Sequence, residues 1–271
     1  MRLGISSYTY VWAAGVPGYE QPRNPLTHAE LLHKAVNLGV HVVQIADNMP
    51  LDRLSASQLD ALAALARKKG IYLEVGTWGI EPSVLRTYLQ IAKTLVSPIV
   101  RTVIDEEHFA TYDDAIASIK SVLPEYAQAD ITLALENHDS LVAADLADIV
   151  KQCNSRHVGV CFDTANSLGC GEDLRTTLAS LGTFVVNVHY KDFVARRLPH
   201  KKGFIVEGCA AGDGLVNLFD LLGGLRRERT IDVNVILELW PPPEPTLELS
   251  IAKEDAWARK SIQFLRQHFL K

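Results

Sequence analysis

Four side chains in the second half of the chain have the types and spacing to share one cation. They are Glu136 in LALEN, Asp163 in VCFDTAN, His189 in VVNVHYKD and Glu238 in VILELW. Each follows an apolar run, and a run that is apolar almost throughout belongs to a strand buried on both faces. A charged side chain has no place inside such a strand. At the C-terminal end it can leave the core and project into a shared mouth. Three carboxylates and one imidazole meeting there repel one another unless a cation sits between them. The expected ion is a hard or borderline divalent cation, Mn²⁺ first with Mg²⁺ or Co²⁺ as alternatives. A structural zinc site would draw on Cys and His instead.

Other residues are placed to contact a ligand held at that centre. His138 lies two residues past Glu136 and Lys191 two past His189, on the same side of an extended run. An ammonium at Lys191 can bind an oxyanion, a carboxylate or a phosphate. Asp47 and Asn48 end the second apolar run, either as partners for ligand hydroxyls or as turn formers before Pro50. Asn166 either orients Asp163, lines the pocket or caps a turn. Trp12, Trp78 and Trp240 follow the first, third and eighth runs. Their rings either close a pocket and exclude water or pack loops, whereas Trp257 reads as helix core.

These residues need a scaffold that brings strand ends together. Eight strand candidates are readable: Arg2–Ser6, Val40–Ala46, Ile71–Gly76, Ile99–Ile104, Ile131–Glu136, Val158–Asp163, Phe184–His189 and Val233–Leu239. Helix-period segments separate them. HAELLHKAVNLG stops at Gly39, and SASQLDALAALARKKG opens on a serine cap and ends basic before Gly70. In DDAIASIKSVLPEYAQA, Pro124 is expected to break or kink the helix. Eight β-then-α units imply right-handed crossovers and closure into a (β/α)8 TIM barrel, one domain over residues 1–271. Glu136 and Asp163 are 27 positions apart and Asp163 and His189 are 26 apart, each about one βα repeat. Equivalent ends of neighbouring parallel strands lie about 5 Å apart, so the tips can surround one ion. Two insertions, Tyr8–Asn24 and Asp192–Gly214, exceed short loops and follow strands one and seven, on the face where barrel active sites form. The glycines of GCAAGDGLVN lack the Walker pattern and are expected to end a mobile lid over the mouth.

Composition narrows the function classes. Apolar residues make up 48% of 271, ample for a large core, and the net charge of −5 lacks the positive footprint of a nucleic-acid binder. Cys153, Cys161, Cys170 and Cys209 have no CxxC spacing and read as reduced thiols of a cytoplasmic protein. MRLGISSYTY has no signal-peptide core, and no apolar stretch approaches the length of a membrane span.

The order Glu, Asp, His, Glu on strands five to eight resembles the xylose isomerase-like TIM barrels, the sugar phosphate isomerase/epimerase group. LENHD, CFDTAN, VHYKD, GFIVEGCAAGDGLVN and LELW carry the resemblance, which covers nearly the whole chain. It implies that Glu136, Asp163, His189 and Glu238 bind a metal that holds two neighbouring oxygens of a hydroxy-ketone or hydroxy-aldehyde. It further implies that Glu136 and Glu238 flank the reacting carbon as an acid/base pair, in isomerisation or epimerisation through a metal-stabilised enediolate. A lyase on the same scaffold, a decarboxylase or dehydratase of a keto-acid sugar or keto-cyclitol, is the alternative that Lys191 and His138 favour. The epimerases of the group carry an arginine after the seventh strand, for which Arg196 and Arg197 are candidates. A remote alternative is an endonuclease IV-like DNA repair enzyme. It needs additional histidines, including one at the position of Asn166, and the acidic charge speaks against it. By resemblance, a homodimer or homotetramer acting on a small sugar or sugar acid is expected, with neither nucleic acid nor membrane as partner.

Overall fold

The eight apolar runs pair side by side in a closed parallel barrel. The structure, a computed structural model, describes residues 1–104, 109, 111–227 and 232–269. The barrel strands are β1 (Leu3–Ser6), β2 (Val42–Ile45), β3 (Tyr72–Gly76), β4 (Ile99–Val103), β5 (Thr132–Glu136), β6 (Val158–Asp163), β7 (Val185–Tyr190) and β10 (Asn234–Leu237). Around the barrel the order is β1, β10, β7, β6, β5, β4, β3, β2. The numbering skips because β8 (Asp192–Arg197) and β9 (Phe204–Cys209) form a separate antiparallel hairpin between β7 and β10. The four strands that bear the candidate ligands are therefore contiguous.

The outer layer consists of α2 (His28–Leu38), α3 (Ala56–Lys69), α4 (Pro82–Leu95), α5 (Tyr112–Ala129), α6 (Ala143–Cys153), α7 (Leu174–Leu181), α8 (Leu218–Arg227) and α9 (Leu247–Phe269), with a one-turn helix α1 (Val11–Ala14) after β1. Local chemistry sets their ends. Thr27 and Glu30 form a capping box at the start of α2, and Gly39 closes it in the left-handed conformation. Ser55 with Gln58 and Gly70 do the same for α3. Pro124 does not break α5, which runs through it as one helix. Ile119, Val122, Leu123 and Tyr126 around it are buried, and that packing outweighs the one backbone hydrogen bond proline forfeits.

Both insertions have structure of their own. After β1, the backbone N–H groups of Trp12 and Ala13 donate to Glu254 Oε2 and Oε1 of α9, each at 2.8 Å. After β7, the chain forms the antiparallel β8–β9 hairpin. Among the described residues, no helix is long and apolar enough to cross a membrane.

Candidate metal centre

Strand ends put four ligand-type side chains around one point. Glu136 ends β5, Asp163 ends β6, His189 is the penultimate residue of β7, and Glu238 directly follows β10. The pairing register sets Asp163 opposite His189. All four side chains are buried, and one donor atom from each lies within 4.8 Å of the others. His189 Nδ1 stands near the middle, 3.2 Å from Glu136 Oε2, 3.4 Å from Glu238 Oε1 and 3.9 Å from Asp163 Oδ2.

Hydrogen bonds occupy the outer atoms and leave inner ones free. Asp163 Oδ1 accepts from the backbone of Ala165 and Asn166, both at 2.8 Å. His189 Nε2 meets Gln44 Oε1 at 2.7 Å. Asp163 Oδ2, His189 Nδ1 and both oxygens of Glu238 are buried with no hydrogen-bond partner among the described residues. Buried polar atoms are seldom left so. Hard oxygen donors with one imidazole, free of hydrogen bonds and close to one another, fit a divalent cation.

Two cations of the chain itself are already part of the cluster. The Lys191 ammonium is 2.9 Å from Asp163 Oδ2 and 2.9 Å from Glu238 Oε2, close enough for ion pairs but not aligned as hydrogen bonds. Burial alone would lower its pKa, yet Asp163 and Glu238 raise it. Arg101, from β4, donates through Nε to Glu136 Oε2 and through Nη1 to Asp47 Oδ1 at 2.8 Å. Burial would raise the Glu136 carboxyl, but Arg101 and then His189 hold it well below the usual range. Asp163 moves the other way: burial raises it, Lys191 opposes that, and Glu136 and Glu238 add to the rise.

A cavity of about 510 Å³ opens onto this cluster. Tyr8, Trp78, His138, Asn166, Lys191 and Trp240 are among its lining residues, with Val206 of the hairpin above. The Trp78 ring meets His138 edge-on at 5.2 Å, and Lys191 Nζ lies 5.0 Å over Trp240. Asn166 donates to Glu136 Oε1 at 2.8 Å and accepts from Lys191 at 3.3 Å, which ties two strands' functional groups together.

Some expected residues are elsewhere. Trp12 is buried, its indole N–H donating to Pro241 O at 2.8 Å, and it does not line the cavity. The ring packs the β1 insertion against the β10 loop. Asp47 sits behind the wall, bonded to Tyr8 and Arg101, and Asn48 accepts from Ser7 Oγ. Arg196 pairs with Glu207 and Arg197 stacks on Phe204, both out on the hairpin. The guanidinium at the centre comes from Arg101 instead. The glycine-rich segment is no phosphate cradle: Gly212, Gly214 and Val216 already give their N–H groups to Asp192, at 2.8, 3.1 and 3.1 Å. Sequence reading missed Tyr8, Arg101, Gln44 and Glu74. The last three are charged or amide side chains inside otherwise mostly apolar strands (IVRTV, VVQI, YLEVG), a pattern that points into a barrel interior.

The sequence pattern of the xylose isomerase-like TIM barrels matches residues 32–268. The chain belongs to that family. A 3-oxo-isoapionate decarboxylase from Pectobacterium atrosepticum is 33% identical over 98% of this chain and 95% of its own length. Solved structures give the same fold at lower identity. A D-psicose 3-epimerase from Clostridium cellulolyticum H10, determined with D-tagatose, is 17% identical, with a TM-score of 0.75 over 99% of both chains. A xylose isomerase-like TIM barrel protein from Mycobacterium smegmatis in complex with magnesium is 14% identical, with a TM-score of 0.65 over 97% of both.

Proposed function

We propose that this chain is a divalent-metal-dependent lyase that releases the carboxylate of a 3-oxo sugar acid as carbon dioxide. The unequal setting of two glutamates carries the reading. Glu136 is fixed at both oxygens by hydrogen bonds from Arg101 and Asn166, whereas the Glu238 carboxylate has no hydrogen bond among the described residues and meets the Lys191 ammonium, 2.9 Å from its Oε2. Epimerisation asks two groups to exchange protons on opposite faces of one carbon. Decarboxylation asks for a single proton, delivered to the carbon that lost CO2. A carboxylate clamped by a guanidinium is a poor base. The pair therefore suits one anchor and one proton carrier. Similarity to a 3-oxo-isoapionate decarboxylase over nearly the whole chain supports the same reaction type.

Glu136, Asp163, His189 and Glu238 would hold the metal, Mn²⁺ first with Mg²⁺ or Co²⁺ as alternatives. A bound divalent cation supplies a Lewis acid beside a keto oxygen, which draws electrons from the bond to be broken. Lys191, buried in the cavity wall, binds the substrate carboxylate. Trp78 and Trp240 cover the apolar face of the sugar and exclude water. Arg101 and Asn166 keep Glu136 still. As the carbon–carbon bond to the carboxylate breaks, CO2 departs and the electron pair stays with the carbon next to the ketone. That carbon takes a proton supplied by solvent in the cavity and relayed through the Glu238 carboxylate.

Carboxyl-¹³C-labelled 3-oxo sugar acids incubated with Mn²⁺-loaded protein in D₂O test this. Labelled CO2 and one deuterium in the shortened ketose are expected. Deuterium entering an intact ketose, with every carbon retained, would overturn it. That outcome would favour the second reading, isomerisation or epimerisation of a ketose, which the sequence resemblance placed first. Its support is that Glu136 and Glu238 both lie close to the same His189 Nδ1, at 3.2 and 3.4 Å.

A further inference from the structure

Below the strand tips, the barrel interior holds a layer of buried polar side chains that no step above uses. Gln44 (β2) and Glu74 (β3) are register partners, and Asn187 (β7) pairs with Asn234 (β10). Gln44, Glu74 and Asn187 are each at most 1% exposed. Glu74 Oε2 accepts from Gln44 Nε2 at 3.1 Å and from Asn187 Nδ2 at 3.0 Å, and Glu74 Oε1 accepts from Asn234 Nδ2 at 2.6 Å. Burial pushes the Glu74 carboxyl up, but three amide donors on its two oxygens oppose that and mark it as an acceptor, the role of a carboxylate.

That acceptor fixes the Gln44 amide. Turned the other way, Gln44 would set its oxygen against the Glu74 oxygen. With Nε2 bound to Glu74, Oε1 must face His189, at 2.7 Å from Nε2. An amide oxygen only accepts, so the imidazole proton sits on Nε2. The Nδ1 lone pair is then directed at the cluster, where Nδ1 has no hydrogen-bond partner among the described residues.

We propose that Glu74 and Gln44 are positioning residues: the carboxylate orients the amide, and the amide fixes His189 in the tautomer whose Nδ1 can ligate a metal. This rests on His189 being a ligand. Outer partners of metal-bound histidines work in this way, and their loss weakens metal binding about 10–100-fold.

Glu74→Gln supplies a donor where the acceptor was. Gln44 can then rotate and offer its N–H to His189 Nε2, which drives the proton to Nδ1, the ligating atom. The double variant Gln44→Glu with Glu74→Gln keeps the charge and the volume and restores an acceptor against Nε2. The measurements are Mn²⁺ affinity by electron paramagnetic resonance and ¹⁵N NMR of histidine-labelled, Mg²⁺-loaded protein. Wild type should carry its His189 proton on Nε2. Glu74→Gln should lose that signal and bind Mn²⁺ about 10–100-fold more weakly, and the double variant should recover most of both. A proton on Nδ1 in the wild type, which needs no variant to observe, would overturn the inference. So would unchanged Mn²⁺ affinity in Glu74→Gln. If Mn²⁺ failed to broaden the His189 signals of the wild type, the metal reading would fall and this inference with it.

Discussion

Arg101 serves two carboxylates at once, Glu136 through Nε and Asp47 through Nη1, in a position almost closed to water. Removing one partner of a buried pair leaves an uncompensated charge, which costs about 3–5 kcal/mol. Arg101→Met should therefore lower stability by that order in a denaturant titration. A loss below about 1 kcal/mol, the range of a surface pair, would contradict so central a place. Lys191 makes the opposite test. Its ammonium shares Asp163 and Glu238 with the proposed cation. Lys191→Met should bind Mn²⁺ more tightly than wild type while KM for a sugar acid rises. Weaker Mn²⁺ binding in that variant would show that the lysine supports the centre rather than competing for it. Glu136, Asp163, His189 and Glu238 were legible in the sequence because each ends an apolar run, where a charge has one direction to go. Arg101, Gln44 and Glu74 were not. A charged or amide side chain inside a mostly apolar strand signals the barrel interior, but one strand alone does not reveal which layer it joins. Trp12 was readable either as a pocket wall or as loop packing, because position after a strand does not say whether a ring faces the mouth or the core.

At the scale of elements, the β1 insertion is fastened by one carboxylate. Glu254 of α9 accepts the backbone N–H groups of Trp12 and Ala13. Burial pushes its pKa from 4.5 up to about 8, although those two N–H groups pull the other way. The folded chain thus holds this proton more tightly than the unfolded chain. Stability from this group is full below about pH 4.5 and is lost as pH rises through about 8. Glu254→Gln removes the titration and keeps one acceptor. The difference in Tm between variant and wild type should grow in the variant's favour from pH 5 to pH 9. A difference constant across that range would show that Glu254 titrates alike in both states. The β8–β9 hairpin shows a different limit of sequence reading. Asp192–Gly214 was recognised as a long connection over the mouth, but its strands carry weak patterns, DFVARR and FIVEGC, that are mostly exposed at their far ends. Its glycines were legible as the end of that connection, not by what they bind. At Gly214, a Cβ would lie 2.1 Å from Asp192 Oδ1, so the glycine is there to let that carboxylate reach the backbone.

At the scale of the whole molecule, eight strands close so that β5, β6, β7 and β10 stand side by side. The count of βα units made that closure legible, since each unit pairs one buried strand with one helix. The added hairpin and the short α1 escaped it because neither belongs to a repeat. A cation held by four strands would staple the barrel at one end. A ligand that binds only the folded chain stabilises it by about 2.7 kcal/mol at 100 times its Kd. Chelation should thus lower Tm, and Mn²⁺ should restore it. The most direct test counts the ion. Metal-free protein titrated with Mn²⁺ should take up one ion per chain, and Asp163→Asn and His189→Leu, each still folded, should lose most of that affinity. No stoichiometric uptake by the wild type, or uptake unchanged in both variants, would contradict a shared centre at the strand tips.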